Sequence, residues 1–338
     1  MRELVVLGSD KRLSLRQTNL LIKNKAGVIE DVIALGRIES ISVFGNPQLS
    51  TQLIKALNRH QIHLHYFSIS GSYLCSLMSA KHFNYEDQID QFLACSQSDF
   101  CLQLSRRIIE SKVHNQKLLL QAYDEDNIFD EGDLAKFDIY IEKIKTAESL
   151  QSLRGYEGKA ATLYFYYLKW ILPHEFHFKT RTKHPAKDPF NSLLGFGYSI
   201  LYGYFIGQLY KYGLNPGIGI MHQNKRKHAC LSSDLMEEWR PIIVDDTVMH
   251  FVLDTIIKAE DFTMREDGSC IMNKESKRLF ISKINNRLFE MHPFIQGQNM
   301  TARYTINQQV ESLKRSFKQK DPSLYKIVGG WNSCEWFI

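Results

Sequence analysis

The sequence predicts an α+β fold: an N-terminal antiparallel β domain with one helix, followed by a larger all-α domain that carries the chemistry. Three observations lead there. Short β-branched or alternating runs closed by turn residues fill the first part of the chain, and apolar positions at a helical period fill the rest. The 338 residues are enough for about two hydrophobic cores. The boundaries drawn on this basis are 1–84 for the β-rich domain and 85–338 for the helical, catalytic one.

Leu4–Leu7, Arg12–Arg16, Asn19–Lys23, Gly27–Ile33 and Ile38–Phe44 read as strands, separated by turns such as Gly8-Ser9-Asp10 and Asn24-Lys25-Ala26-Gly27. Turns this close favour antiparallel pairing. Asn46-Pro47-Gln48-Leu49-Ser50 is a helix-start signal, and Leu53, Ile54 and Leu57 share one face of a helix ending near Arg59. Ile62–Phe67 and Tyr73–Met78 return to strand across Ser70-Gly71-Ser72. There His63 and His65 share a strand face, which reads as hydrogen-bonded histidines before it reads as a metal pair.

Beyond Lys81 the helical period takes over: Tyr85–Tyr123, Leu134–Leu172, Pro189–Tyr210, Asp234–Ile257 and Asn299–Lys318. The acidic run Asp124–Asp133 lacks the glycine of an EF-hand loop and reads as a solvated connection. Asn191–Tyr210 is free of formal charge, but its Asn, Ser, Gln, Tyr and Gly content suits a helix buried in protein and not one in a membrane.

Lys and Arg number 42 against 37 Asp and Glu, a formal charge of +5, which permits a polyanionic partner without demanding one. Six scattered cysteines without a C-x-x-C pair suggest neither a zinc ribbon nor a disulfide framework, so reduced thiols and a cytoplasmic location are expected. The N-terminal apolar run is too short for a signal-peptide core. Basic residues recur in groups: Arg106, Arg107 and Lys112; Lys179, Arg181, Lys183, His184 and Lys187; Lys225, Arg226 and Lys227; Lys314, Arg315, Lys318 and Lys320. Each group alone is a solvated face; together in space they would track phosphates.

Two stretches carry candidate chemistry. Gly213–Asp245 places His222 at the end of a Gly-rich, β-like approach, three cations just beyond it, and then a helix with Asp234 and Glu237. Imidazole, carboxylates and cations so close together suit a divalent ion that handles phosphate. The plainer alternative is a D-x-x-E capping box. The second stretch is the helix of Leu150, Leu153, Glu157, Ala160, Ala161, Tyr164 and Leu168, whose spacing sets Glu157 on an otherwise apolar stripe. A carboxylate there needs a metal or a cation, with Arg154 or a distant arginine as the ion-pair alternative.

Three blocks together resemble the CRISPR-associated endonuclease/integrase family whose members are the first-numbered protein of the Cas set. They are Glu157-Gly158-Lys159-Ala160-Ala161-Thr162-Leu163-Tyr164-Phe165; Arg181 followed by Asp188-Pro189-Phe190-Asn191-Ser192-Leu193-Leu194-Gly195-Phe196-Gly197-Tyr198; and Gly213 to His222, continued by Asp234-Leu235-Met236-Glu237 and Arg240 to Asp245. Lys112-Val113-His114-Asn115-Gln116 and a C-terminal segment with Gln308, Gln309 and Tyr325 extend the resemblance over nearly the whole chain. This chain departs where members often carry arginine (Lys183, His184), proline (Ala186, Glu238) or an apolar residue (Ser233).

The resemblance implies that Glu157, His222 and Glu237 are the catalytic residues and the ligands of Mg²⁺ or Mn²⁺, with Asp234 as a supporting or alternate ligand. A 3′-hydroxyl of captured DNA would attack a repeat-boundary phosphodiester, and water in its place would give nuclease activity on branched DNA. Arg181, Asn191, Lys225 and Arg240 would contact phosphate or orient the site. Implied partners are double-stranded and branched DNA, a second copy of the chain joined through the β domain, and the small second-numbered Cas protein in a heterohexamer. Alternatives of the same fold are a transposon-type integrase, a branched-DNA repair nuclease or a non-catalytic DNA-binding scaffold. A di-iron helical enzyme is disfavoured, because the two E-x-x-H pairs it needs are absent.

Overall fold

The computed structural model describes residues 2–69, 73–77, 85–124, 128–183, 185–222, 228–295 and 298–329. The turn Ser70-Gly71-Ser72, residues 78–84 at the expected domain boundary, His184, the run Lys225, Arg226, Lys227, and Cys334 lie outside the described residues.

The N-terminal strands form two four-stranded sheets. One holds β1 (Arg2–Leu7), β5 (Ile38–Phe44), β7 (His63–Phe67) and β8 (Tyr73–Leu77) in that order. The other holds β4 (Ile29–Ala34), β3 (Asn19–Lys23), β2 (Arg12–Arg16) and β6 (Gln48–Leu49). The expected all-antiparallel pairing is corrected here: it holds for β2/β3, β3/β4 and β7/β8, whereas β1/β5, β5/β7 and β2/β6 are parallel. Short turns pair β2, β3 and β4 among themselves, which leaves β1 to meet β5 across that whole excursion. Helix α1 (Thr51–Arg59) then returns the chain so that β7 starts in the direction of β5, as a parallel crossover requires. Ser50 starts α1 by accepting a hydrogen bond from the Leu53 amide, and Leu20, Ile41, Leu57 and Leu64 fill the core between the elements.

The helical region that follows contains α2 (Tyr85–Cys95), α3 (Ser98–Tyr123), α4 (Glu131–Lys145), α5 (Leu150–Ile171), α6 (Pro189–Lys211), α7 (Cys230–Trp239), α8 (Asp246–Leu253), α9 (Lys274–Arg287) and α10 (Ala302–Gln319). Two predicted long helices are each broken in two. At the second break Ser149 and Ser152 form a capping box that restarts the chain as α5. The domain is not all-α: hairpins β9 (Phe262–Met264)/β10 (Cys270–Met272) and β11 (Met291–Ile295)/β12 (Gln298–Thr301) interrupt it. Asp267-Gly268, with Gly268 at φ +74°, supplies the turn of the first hairpin.

Helix α6 packs the helical region against the β-rich one. Phe44 stacks on Phe67 at 4.7 Å and meets Phe196 of α6 at 5.1 Å, so both strand aromatics belong to the helical core. A Cβ on Gly203 would lie 2.5 Å from the Phe67 ring, so this approach of helix to sheet requires glycine. Among the described residues no helix is long and apolar enough to cross a membrane. His65 is buried against α6, with Nδ1 2.6 Å from Ser76 Oγ, and burial, then His63, push its pKa down to about 3.

Candidate active site

The His222 loop is built by backbone capture. Helix α6 ends at Gly213 (φ +79°), where the Leu214 amide returns to the Leu209 carbonyl at 2.9 Å and the Gly213 amide to Tyr210 at 3.0 Å. The stretch that follows is turn and bend, not the β-like run expected. Buried Gln91 of α2 clamps it, donating to the Asn215 and Ile218 carbonyls at 2.8 and 2.9 Å and accepting from the Asn215 amide at 2.8 Å. Asp234 closes it from α7: its carboxylate accepts from the amides of Ile220 (2.6 Å), Met221 (3.0 Å) and His222 (3.2 Å) and lies 2.5 Å from His222 Nδ1. Gly219 has no room for a side chain, since a Cβ would sit 2.5 Å from Cys230 Cβ. Both Asp234 oxygens are therefore engaged in holding the imidazole and its loop, and Asp234 lies inside α7, not at a cap.

Opposite it stands an acid cluster around one ammonium. Lys112, in the middle of α3, donates to Glu157 Oε1 at 2.6 Å and lies 2.8 Å from Glu237 Oε2. Arg240 Nη2 is 3.0 Å from Glu237 Oε1. Burial alone would raise the Glu237 carboxyl, but Arg240 and then Lys112, with a smaller pull from His222, hold it down at about 2. The same two acids outweigh burial at Lys112 and raise its pKa. Glu157 is half-buried at the rim of its apolar stripe, and its cation is Lys112 rather than an arginine. Arg154, one turn before it, donates instead to the Met221 carbonyl, which ties α5 to the His222 loop. Among the described residues no three His, Cys, Asp or Glu side chains meet at one point as they stand; Lys112 fills the gap between the acids.

Glu157, Glu237, Lys112, Arg181, Lys183 and Arg240 line a cavity of about 530 Å³. Two buried polar atoms of its described wall lack a hydrogen-bond partner, Gln116 Oε1 and Arg240 Nε, while Glu237 Oε2 has only the Lys112 ammonium beside it. Arg240 is aimed by a π-helical turn, Arg240–Asp245. Pro241 has no amide to give to Glu237, and the Asp246 amide reaches back five residues to the Pro241 carbonyl. The guanidinium stacks 4.5 Å over the Tyr198 ring, with Arg181 at 5.4 Å. Beneath them Tyr198 and Tyr164 donate to Asp245 at 2.6 and 2.8 Å.

The structure thus gathers Glu157, Glu237, Arg181 and Arg240 at one cavity and sets His222 on the loop beside it. Asn191 is fully buried: Oδ1 accepts from Arg181 at 2.7 Å, and Nδ2 donates to Asp188 at 2.6 Å and to Thr180 at 2.9 Å. It orients Arg181 and cannot reach a ligand. Lys225 lies outside the described residues. Sequence reasoning missed the place of Lys112 and Gln116, although both stand in the Lys112-to-Gln116 block; a buried lysine on a helix otherwise packed in the core was the available signal.

These features define a class: an α+β protein whose helical domain holds a buried acid cluster open to a cation-lined cavity. The family model for CRISPR associated protein Cas1 matches residues 4–286. The chain is 31% identical over 327 residues to the CRISPR-associated endonuclease Cas1 of Mycobacterium tuberculosis, with 96% of each chain covered. It superposes on a Cas6-RT-Cas1–Cas2 complex with a TM-score of 0.84 at 27% identity, covering 98% of this chain and 36% of that longer one. A casposase bound to integration product gives a TM-score of 0.84 at 22% identity, a likeness of fold, over 95% and 91% of the two chains. The chain belongs to the CRISPR-associated Cas1 family, as the resemblance of the three blocks implied.

Proposed function

We propose that this chain is a metal-dependent DNA endonuclease/integrase that joins a captured DNA end to a CRISPR array. The observation that carries the proposal is the pairing of Glu157 and Glu237 around one cation at the wall of an arginine-lined cavity. The donor set suits a divalent ion: Glu157 and Glu237 already share one cation, Gln116 Oε1 is a buried oxygen without a donor, and the Asp234 contact at Nδ1 leaves His222 Nε2 to act as a ligand. Glu157, Glu237 and His222 would hold Mg²⁺ or Mn²⁺, with Lys112 withdrawn from between the acids. When bound, the ion supplies charge neutralisation at the phosphate and a lowered pKa for the attacking hydroxyl.

In strand transfer a 3′-hydroxyl oxygen bonds to phosphorus as the bond to the target strand's O3′ breaks, and that oxygen leaves as a new 3′-hydroxyl after taking up a proton. Water as nucleophile makes the same step a hydrolysis. Arg240, whose Nε is an unused buried donor, and Arg181 at the same wall suit the phosphate oxygens, and Tyr198 and Asn191 hold the two guanidinium groups in place. The likeness to the Cas6-RT-Cas1–Cas2 complex supports the small second-numbered Cas protein as partner; pairing with a second copy of this chain is part of the same proposal. The casposase likeness supports integration chemistry for the transposon-type reading as well; a repeat array beside the gene separates the two.

The test is strand transfer of a DNA fragment into a repeat-containing plasmid with Mn²⁺. Glu157→Ala, His222→Ala and Glu237→Ala each abolish transfer, while binding of the same DNA persists. Full transfer by all three variants would sink the assignment.

A further inference from the structure

A second cavity, of about 420 Å³, lies beyond Lys183 where the two domains meet. Lys183 lines both cavities, so the acid-cluster cavity and this one share a wall. Three cations face the second cavity from three places: Lys183 from the segment before α6, Arg265 from the β9–β10 hairpin and Lys277 from α9. Against them stands one carboxylate, Asp267, which is occupied by its own turn, accepting from the Ser269 amide at 2.9 Å and hydroxyl at 2.6 Å.

The cations outnumber the one carboxylate that faces them. No ion pair is formed by Lys183, Arg265 or Lys277 among the described residues. Burial and then Arg265 lower the pKa of Lys277, whose ammonium stands 5.6 Å from the Phe196 ring centre. Burial and then Arg240 lower that of Lys183. Like charges gathered at a concave surface cost free energy that a bound anion removes. Asn46 and Ser192 add neutral polar groups to the same wall. The volume suits a nucleotide-sized group and is too small for a duplex.

The geometry points to a second phosphate subsite at the domain junction, where Lys183, Arg265 and Lys277 hold the sugar–phosphate backbone of one DNA strand running between this cavity and the acid cluster. It rests on the reading of that cluster as a DNA site. Lys183 is the step between the two cavities, and the two remaining cations extend the path over the N-terminal turn of α6 toward the β domain.

The test uses the full chain and a duplex with single-stranded 3′ ends, its affinity measured against salt concentration. For Arg265→Gln/Lys277→Gln, affinity falls by about tenfold or more at low salt, and the log–log salt slope shrinks by roughly 1.4 to 1.8, about 0.7 to 0.9 per lost phosphate contact. Arg265→Lys/Lys277→Arg keeps both values. Arg265→Gln alone, on an exposed side chain, removes about half of the slope change and guards against a misfolded double variant. Unchanged slope and affinity in the double variant overturn the subsite. If the wild-type chain binds no DNA, the DNA reading of the acid cluster fails separately, and calorimetry with inorganic pyrophosphate decides the subsite: heat lost in the double variant supports it, and no heat in either protein overturns it.

Discussion

Glu237 and Glu238 are consecutive, both buried on α7, and face two different regions. Glu237 faces the cavity, where Arg240 and Lys112 overcome burial and hold its carboxyl near 2. Glu238 faces α10 and the C-terminal segment, accepting from Tyr325 at 2.6 Å and the Val328 amide at 2.8 Å, and burial pushes it up to about 7. Asp245, held by two tyrosines under the arginine stack, belongs with Glu238: burial raises it to about 6. Cations keep an acid ionised in the interior, whereas hydroxyls and amides satisfy its oxygens without fully offsetting desolvation. One side of α7 therefore holds its acid ionised between two cations, and the other is a hydrogen-bonded brace.

The largest effect should separate the two neighbours. Glu237→Gln is expected to lower strand transfer by about 1000-fold or more, about 4 kcal/mol at the barrier, while Glu238→Gln stays near wild type. Equal losses in a single-turnover assay would erase the distinction. Lys112→Met strips the cation from between two buried acids and is expected to cost about 3–5 kcal/mol of stability without metal. Mn²⁺ should recover a large part of the lost melting temperature, because the ion takes over the charge. No Mn²⁺-dependent rise in that variant would break the reading of a cation-exchanging face.

The brace has a pH signature of opposite origin. Asp245 has a raised folded-state pKa, so its stabilising contribution is complete below the unfolded value of 3.8 and is lost as pH rises through about 6. The span corresponds to about 3 kcal/mol. Asp245→Asn is expected to remove that fall between about pH 4 and pH 6 in denaturant titrations. A slope identical to wild type would mean that folding does not raise the pKa of Asp245.

Much of the fold was readable from residues alone. The bounds of β2, β3 and β5 follow directly from turn chemistry; Glu157 stands out as a carboxylate on an apolar stripe, while His222 and Glu237 stand in a cluster open to a plainer reading and join Glu157 only through the family resemblance. Parallel pairing was not readable, because no local signal tells β1 that its neighbour is β5. Helix α9 escaped notice: among its fourteen residues only Phe280, Ile281 and Ile284 are buried apolar positions, too few to set a period. Lys112 carried a signal, a lysine on a helix otherwise packed in the core, but not its partners, since Glu157 and Glu237 come from distant helices. The Asp234–Glu237 spacing was compatible with a cap or a site, and only the start of α7 at Cys230 decides against the cap.

The smallest effect tests the brace most finely. Tyr325→Phe keeps the buried ring and removes one hydroxyl from Glu238. At about pH 5 the carboxyl is protonated and the lost bond is a neutral one, about 1 kcal/mol. At about pH 8 the carboxylate is ionised and loses a charge-assisted donor, about 2–3 kcal/mol, although the Val328 amide still holds its other oxygen. The variant should therefore shift the folded pKa of Glu238 further upward and deepen the loss of stability above it. Guanidinium unfolding at both pH values checks this. A cost that does not grow with pH would place Glu238 with its ionised neighbour and end the contrast between the two sides of α7.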